Sequence, residues 1–172
     1  MLARMRAEDR LPTMLLEGVR GFFQARLAHA DGENRPDRVA IAACALLLEI
    51  AHADGFGPEE RASILRALRD DLGVADEDVQ QVVRFAEEAR RESVDFYQFT
   101  RLVAENYSTE QRRRLVEAMW RVVYADGTLT ALENQLARRI GDLLGFQHPE
   151  VQEIKERVAH SVEILGKNAG EP

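Results

Sequence analysis

The 172-residue chain is poor in the residues that most often carry chemistry. It has one cysteine, one tryptophan and four histidines, and aromatics make up 6% of it. The lone thiol, Cys44, excludes an internal disulfide and a cysteine-rich metal site, and it suits a reducing compartment. His29, His52, His148 and His160 show no H-E-x-x-H or comparable ligand spacing. There is no glycine-rich phosphate loop, no G-x-S-x-G elbow and no low-complexity tract. Long apolar runs are also missing. The longest, Val39 to Leu48, is half of what spans a bilayer and reads as a buried core helix. Near the start, Arg4, Arg6, Glu8, Asp9 and Arg10 interrupt what a signal peptide would need as its apolar centre. Basic charge is scarce too: 23 Lys and Arg face 30 Asp and Glu, a net charge of −7, which argues against nucleic acid as the main partner. The expectation is a cytoplasmic protein without membrane insertion.

What is present is helical periodicity. Apolar residues are 45% of the chain and charged residues 31%, enough of each for a folded domain. Val79, Val82/Val83, Ala86 and Ala89 recur at three- and four-residue steps, as do Leu132, Leu136, Ile140 and Leu143/Leu144, and Val151, Ile154, Val158, Val162 and Leu165. No sustained two-residue alternation is found, so no strand is expected. The spacing predicts eight helices, at 13–30, 36–53, 58–72, 76–92, 95–106, 109–125, 131–144 and 149–165. Pro12, Pro36, Pro58 and Pro149 suit first turns. Asp95-x-x-Gln98, Ser108-x-x-Gln111 and Thr130-x-x-Glu133 read as capping boxes. Gly32, Gly55, Gly73, Gly127 and Gly145 mark stops. Helix 36–53 is apolar nearly all round and belongs at the centre of a bundle.

An internal repeat organises these helices. AHADG stands at 28–32 and at 51–55, and VYADG at 123–127. Laying 53–74 over 125–146, an offset of 72, gives seven identities in 22 positions, with Ile64 over Leu136 and Leu68 over Ile140. Leu47 over Met119 and Ile50 over Val122 extend the match backwards. Two helix–ADG–helix units about a pseudo-twofold axis would bury one core, with Ile64, Leu68, Leu136, Ile140, Met119 and Leu47 inside it. The glycine has a plain reason, since a left-handed residue after a helix is cheapest without a Cβ. The aspartate does not, because an anion at a helix C-terminus is unfavourable by about 0.3–1 kcal/mol. It calls for a local hydrogen bond, a cation or a basic partner group.

Carboxylates follow each turn. Glu133 lies seven residues after Asp126, and Glu60 six after Asp54. Each glutamate also suits the start of its helix, where the macrodipole favours it. Asp54, Glu60, Asp126 and Glu133 form a candidate set for a divalent cation, Ca or Mg, if the fold brings the turns together, since both ions take oxygen ligands. The turns are not EF-hands, because D-G-x-L-T lacks a ligand at the third loop position. His29 and His52, each two residues before an ADG aspartate, read as helix-end residues, because Tyr124 takes that place in the third turn. Cys44, Met119 and Trp120 read as core, and Arg112-Arg113-Arg114 as a solvated face.

The second unit, Ala125-Asp126-Gly127-x-Leu129-Thr130-x-x-Glu133, resembles the mark of the TerB-like family, helical proteins named for tellurite resistance that also resemble the N-terminal region of a DnaJ-type co-chaperone. Ala53-Asp54-Gly55 with Glu60 is similar to it with one residue deleted. SVDFYQFTRL, WRVVYADG and RRIGDLLGF are similar to an uncharacterised bacterial branch. The resemblance covers about residues 36–160. It implies an all-α bundle, an acidic surface able to take divalent metal, and a stress-linked role.

Taken together, the chain divides into an N-terminal helix and arm at 1–35, a helical domain at 36–165 and a frayed tail at 166–172. No catalytic constellation is visible, so no enzyme activity is expected. Two function classes remain: a non-catalytic interaction or regulatory module with a protein partner, and a divalent-cation site on the four carboxylates.

Overall fold

The computed structural model describes residues 37–93 and 95–169, together with Gly21. Among these residues there are seven helices and no strand: α1 (Arg38–Ala51), α2 (Pro58–Asp70), α3 (Asp76–Glu92), α4 (Tyr97–Asn106), α5 (Thr109–Val123), α6 (Ala131–Leu143) and α7 (His148–Ala169). The fold is all-α, as the periodicity requires. The predicted helix 13–30 and the turn at Asp31-Gly32 lie outside the described residues, as does the end of the tail. Helix α7 runs to Ala169, past the expected stop at 165.

Local chemistry sets the helix starts. Asp37 caps α1 by accepting from the Val39 N–H at 2.9 Å. At α5, Ser108 and Gln111 close a reciprocal box: the Ser108 N–H donates to Gln111 Oε1 at 2.9 Å and the Gln111 N–H to Ser108 Oγ at 3.2 Å. The third expected box fails. Asp95 accepts from the Tyr97 N–H in a tight Asx turn, α4 starts at Tyr97, and Gln98 Oε1 is buried without a partner among the described residues.

Helix α1 is the hub. From Ala40 to Ala51 only Glu49 escapes full burial, and Cys44 lies within that stretch. Around it stand α2, α3, α4, α5 and α6. Such complete apolar burial, at roughly 25 cal/mol per Å² removed from water, is the main stabilising term. Met119 and Trp120 of α5 are equally enclosed. Cross-links of a different kind fix the helices on α5. Arg121 bonds Asp71 at the end of α2 at 2.5 Å, and Arg157 of α7 bonds Glu117 at 2.9 Å. Arg112 donates to the Leu144 carbonyl at 2.5 Å, and the Arg113 guanidinium lies over the Phe146 ring. Two of the three consecutive arginines are thus half-buried and structural. The expectation of a solvated face holds for Arg114 alone, because α6 ends against this part of α5.

The packing pairs repeat. Helix α1 packs on α2, α3 and α6, and α5 packs on α6, α7 and α2. Helix α2 meets α3, α6 meets α7, and α1 meets α5 at the centre. Exchanging α1 with α5, α2 with α6 and α3 with α7 maps each of these pairs onto another. Burial repeats as well: Val79, Val82 and Ala86 of α3 correspond to Val151, Ile154 and Val158 of α7 at the 72-residue offset. Helix α4, seated on α1 and α6, has no counterpart among the described residues.

Between α2 and α6 the offset is different. The buried residues of α2 are Glu60, Ile64, Ala67 and Leu68, and those of α6 are Glu133, Ala137, Ile140 and Gly141. These sets match at 73, not 72. Leu136 therefore corresponds to Ser63 rather than Ile64, and it is only partly buried, whereas Ile64, Leu68, Ile140, Met119 and Leu47 are in the core as expected. The loop after the first ADG is one residue short, and the helix follows its cap rather than the turn.

Candidate functional site

The two ADG turns close their preceding helices in the same way. The His52 N–H returns to the Leu48 carbonyl and the Tyr124 N–H to Trp120. The glycines then take positive φ, +137° at Gly55 and +80° at Gly127, a region that side chains rarely adopt. Helices α2 and α6 begin a few residues further on.

In the second turn the aspartate problem is solved locally. Asp126 Oδ1 accepts from the Thr128 N–H at 2.8 Å, and the Thr128 hydroxyl reaches both carboxylate oxygens at 2.9 and 2.8 Å. These bonds, the backbone one first, hold the Asp126 pKa below the usual aspartate value. Its carboxylate stays exposed. Asp54 in the first turn is also exposed, and Phe56, which has no hydroxyl to offer it, stands where Thr128 does. Phe56 instead folds inward onto the core, its ring 4.6 Å from that of His52. Burial, and then the nearby Arg90, pushes the His52 pKa down.

The glutamates are spent on caps. Glu133 Oε2 accepts from the Thr130 N–H at 2.9 Å and the Thr130 hydroxyl at 2.8 Å, while the Glu133 N–H donates back to Thr130 Oγ1 at 3.3 Å. Glu60 Oε2 accepts from the Gly57 N–H at 2.9 Å. Both are buried, at 4% and 6% exposure, the only charged residues enclosed in the described core. A carboxylate at the third helical position pairs with backbone donors and the positive helix end, so its enclosure is chemically sound.

The four carboxylates do not form one ligand set. Among the described residues no group of three or more His, Cys, Asp or Glu side chains is placed to hold a metal ion. Asp54 and Asp126 face solvent, and Glu60 and Glu133 turn back on their own helix starts. The caps engage one oxygen of each of its two glutamates. Nor is Cys44 placed as a nucleophile: it is fully enclosed, and burial drives its pKa far upward.

A surface missed by sequence reasoning lies beside the second turn. Leu132 was expected in the apolar stripe of its helix, yet it is 54% exposed, and Leu129 is 40% exposed. The pattern alone could not show this, because Leu132 keeps the four-residue step to Leu136. Only the position of the cap places it on the outer side. Asp126, Leu129 and Leu132 are thus all exposed within a short stretch of chain. At the other end of the bundle, a cleft of about 240 Å³ lies between Asp70–Gly73 and Tyr107, Gln111 and Arg114. Burial and then Asp37 push the Tyr107 pKa up to about 12.

No helix among the described residues is long and apolar enough to cross a membrane. No curated protein and no solved structure matches the chain. The family model described as Tellurite resistance protein TerB matches residues 40–156, from the start of α1 into α7. That span holds both ADG turns, both glutamate caps and the enclosed hub, and the chain belongs to the TerB family.

Proposed function

We propose that the chain is a non-catalytic interaction module acting in tellurite-related stress, and that it meets a protein partner through Asp126, Leu129 and Leu132. The observation that carries this reading is the pair of exposed leucines that follow an exposed, locally anchored carboxylate in the chain. In the equivalent part of the first turn the apolar residue, Phe56, is folded onto the core instead. Apolar side chains held outward next to fixed charge suit a specific protein contact.

The test is the double variant Leu129→Glu and Leu132→Glu. Because both side chains are exposed, its melting should stay within about 0.5 kcal/mol of the parent. Affinity capture from tellurite-challenged cells should lose the partner recovered by the parent chain, and tellurite tolerance should fall. Unchanged capture and tolerance would overturn the reading. Melts with millimolar Ca²⁺ or Mg²⁺ against a chelator examine the cation alternative. A ligand at about 100 times its Kd adds roughly 2.7 kcal/mol. A rise lost in Asp126→Asn with Glu133→Gln would put a cation site in place of the protein contact.

A further inference from the structure

We infer that one flank of α6 seats an amphipathic helix of a protein partner, one that carries a carboxylate among its leucines. This rests on the proposed contact at Leu132 and names the chemistry of what meets it. Leu132, Leu136, Arg139 and Leu143 follow one another at steps of four, three and four, so they line one side of α6. Leu132 is 54% and Leu143 36% exposed, and Leu136 is half-buried. Tyr97, 39% exposed at the start of α4, joins them through Arg139, which donates to its hydroxyl and lies over its ring at 5.4 Å. Of the large apolar side chains exposed among the described residues, only Leu129, Ile164 and Leu165 lie elsewhere in the chain.

The fold does not require this stripe. The buried faces of α2 and α6 match at the 73-residue offset. At that offset the stripe's equivalents on α2 are Glu59, Ser63, Arg66 and Asp70, with no apolar side chain among them. Helix α2 packs into the bundle with that flank polar. The open leucines of α6, Leu132 and Leu143, therefore serve something other than the core.

Shape and charge select the occupant. The stripe is one side chain wide and about 17 Å long at 1.5 Å per residue, which suits a helix presenting its own apolar residues at three- and four-residue steps. No strand among the described residues offers an edge to an extended peptide. Arg139 is the one charge in the stripe. Stacked on Tyr97, it is held in place with N–H groups to spare, so pairing with a carboxylate costs little ordering. A second copy of the chain does not supply that carboxylate, because stripe against stripe sets arginine on leucine or on arginine. The open side chains also offer on the order of a few hundred Å², short of the roughly 800 Å² per partner that a stable dimer buries.

A displayed library of amphipathic helices tests this on the full chain, with leucine fixed at steps of four, three and four and the other positions drawn from alanine, glutamate, glutamine and lysine. The net charge of −7 by itself favours lysine-rich peptides. Against that bias, glutamate should be enriched about tenfold over lysine at one position flanked by the leucines, the effect of one charge-assisted pair. Arg139→Glu should reverse the preference. Leu143→Glu should lower recovery by about tenfold or more in a chain that still melts as the parent does. Arg66→Glu, the equivalent change on α2, should alter neither. If Arg139→Glu disturbs α4, Arg139→Gln, which keeps a donor for the Tyr97 hydroxyl, should remove the preference while peptides are still recovered. No recovery, lysine at that position, or a preference that survives both Arg139 variants overturns the inference. Beside lost capture in Leu129→Glu with Leu132→Glu, such a result removes only the helical occupant; beside unaltered capture, it removes the contact itself.

Discussion

The two ADG units began from similar sequence and solved the same problem with different numbers of residues. In the second, Glu133 lies seven positions after Asp126, Thr128 anchors the aspartate, and Thr130 and Glu133 close a full box. In the first, Glu60 lies six positions after Asp54, and Gly57 provides only a backbone N–H for the glutamate. Yet the buried faces of α2 and α6 coincide once aligned on those glutamates. A deletion in the loop therefore does not rotate the helix. The buried cap glutamate sets the phase, and the turn absorbs the missing residue.

The largest expected effect breaks or confirms that phase. Ile64→Ala should cost about 2–5 kcal/mol, the range for a fully buried aliphatic, whereas half-buried Leu136→Ala should cost about 1–2 kcal/mol. Urea unfolding of the two variants measures the difference. Equal losses would restore the 72-residue register and with it the equivalence of Ile64 and Leu136.

The caps come next. Thr130→Ala removes the hydroxyl that both receives from the Glu133 N–H and donates to its carboxylate, and should lower stability by about 1 kcal/mol. Gly57→Ser should act in the other direction, raising it by about 0.5–1 kcal/mol through a stiffer unfolded chain and a new cap oxygen. The backbone at Gly57, φ −107°, accepts any residue, and a Cβ there would meet Glu60 Oε2 at 2.7 Å and Glu59 Oε2 at 3.4 Å, so the Glu60 carboxylate must shift. Calorimetry on both variants would show whether the first unit is the weaker one because of its cap. A Gly57→Ser chain that melts lower would mean that the Glu60 carboxylate has nowhere to move.

The smallest effect concerns Asp126. Its pKa is lowered in the folded state, so its contribution is complete above the ordinary aspartate value of about 3.9 and fades as pH falls through it. Asp126→Asn should leave the melting temperature near neutral pH almost unchanged and flatten its fall below about pH 4. An unchanged slope in Asp126→Asn would mean that the Thr128 bonds contribute nothing in solution.

Helix content and the hub were legible because they rest on one-dimensional signals: a ten-residue apolar run, regular three- and four-residue steps, and glycine stops. The candidate cation set was legible only as residue types. Whether a carboxylate faces a neighbouring turn or its own helix start depends on side-chain direction, and a capping box hides the difference, since its glutamate serves equally as cap and ligand in the pattern. Leu132 and Leu136 failed for a related reason. Both sit on a correct helical period, but the period fixes spacing and not phase, and phase is set three-dimensionally by what packs on α6. Asp95 misled because aspartate forms an Asx turn as readily as a box.

The enclosure of α1 has a consequence for how the protein is made. Its neighbours α5 and α6 begin about 70 and 90 residues after it does, so during synthesis a helix apolar on every side waits for partners that do not yet exist. At 5–20 residues per second the wait is roughly 5–20 s. For that interval α1 resembles a short membrane-seeking segment more than part of a folded core, and it is the stretch of nascent chain most in need of a chaperone's shelter.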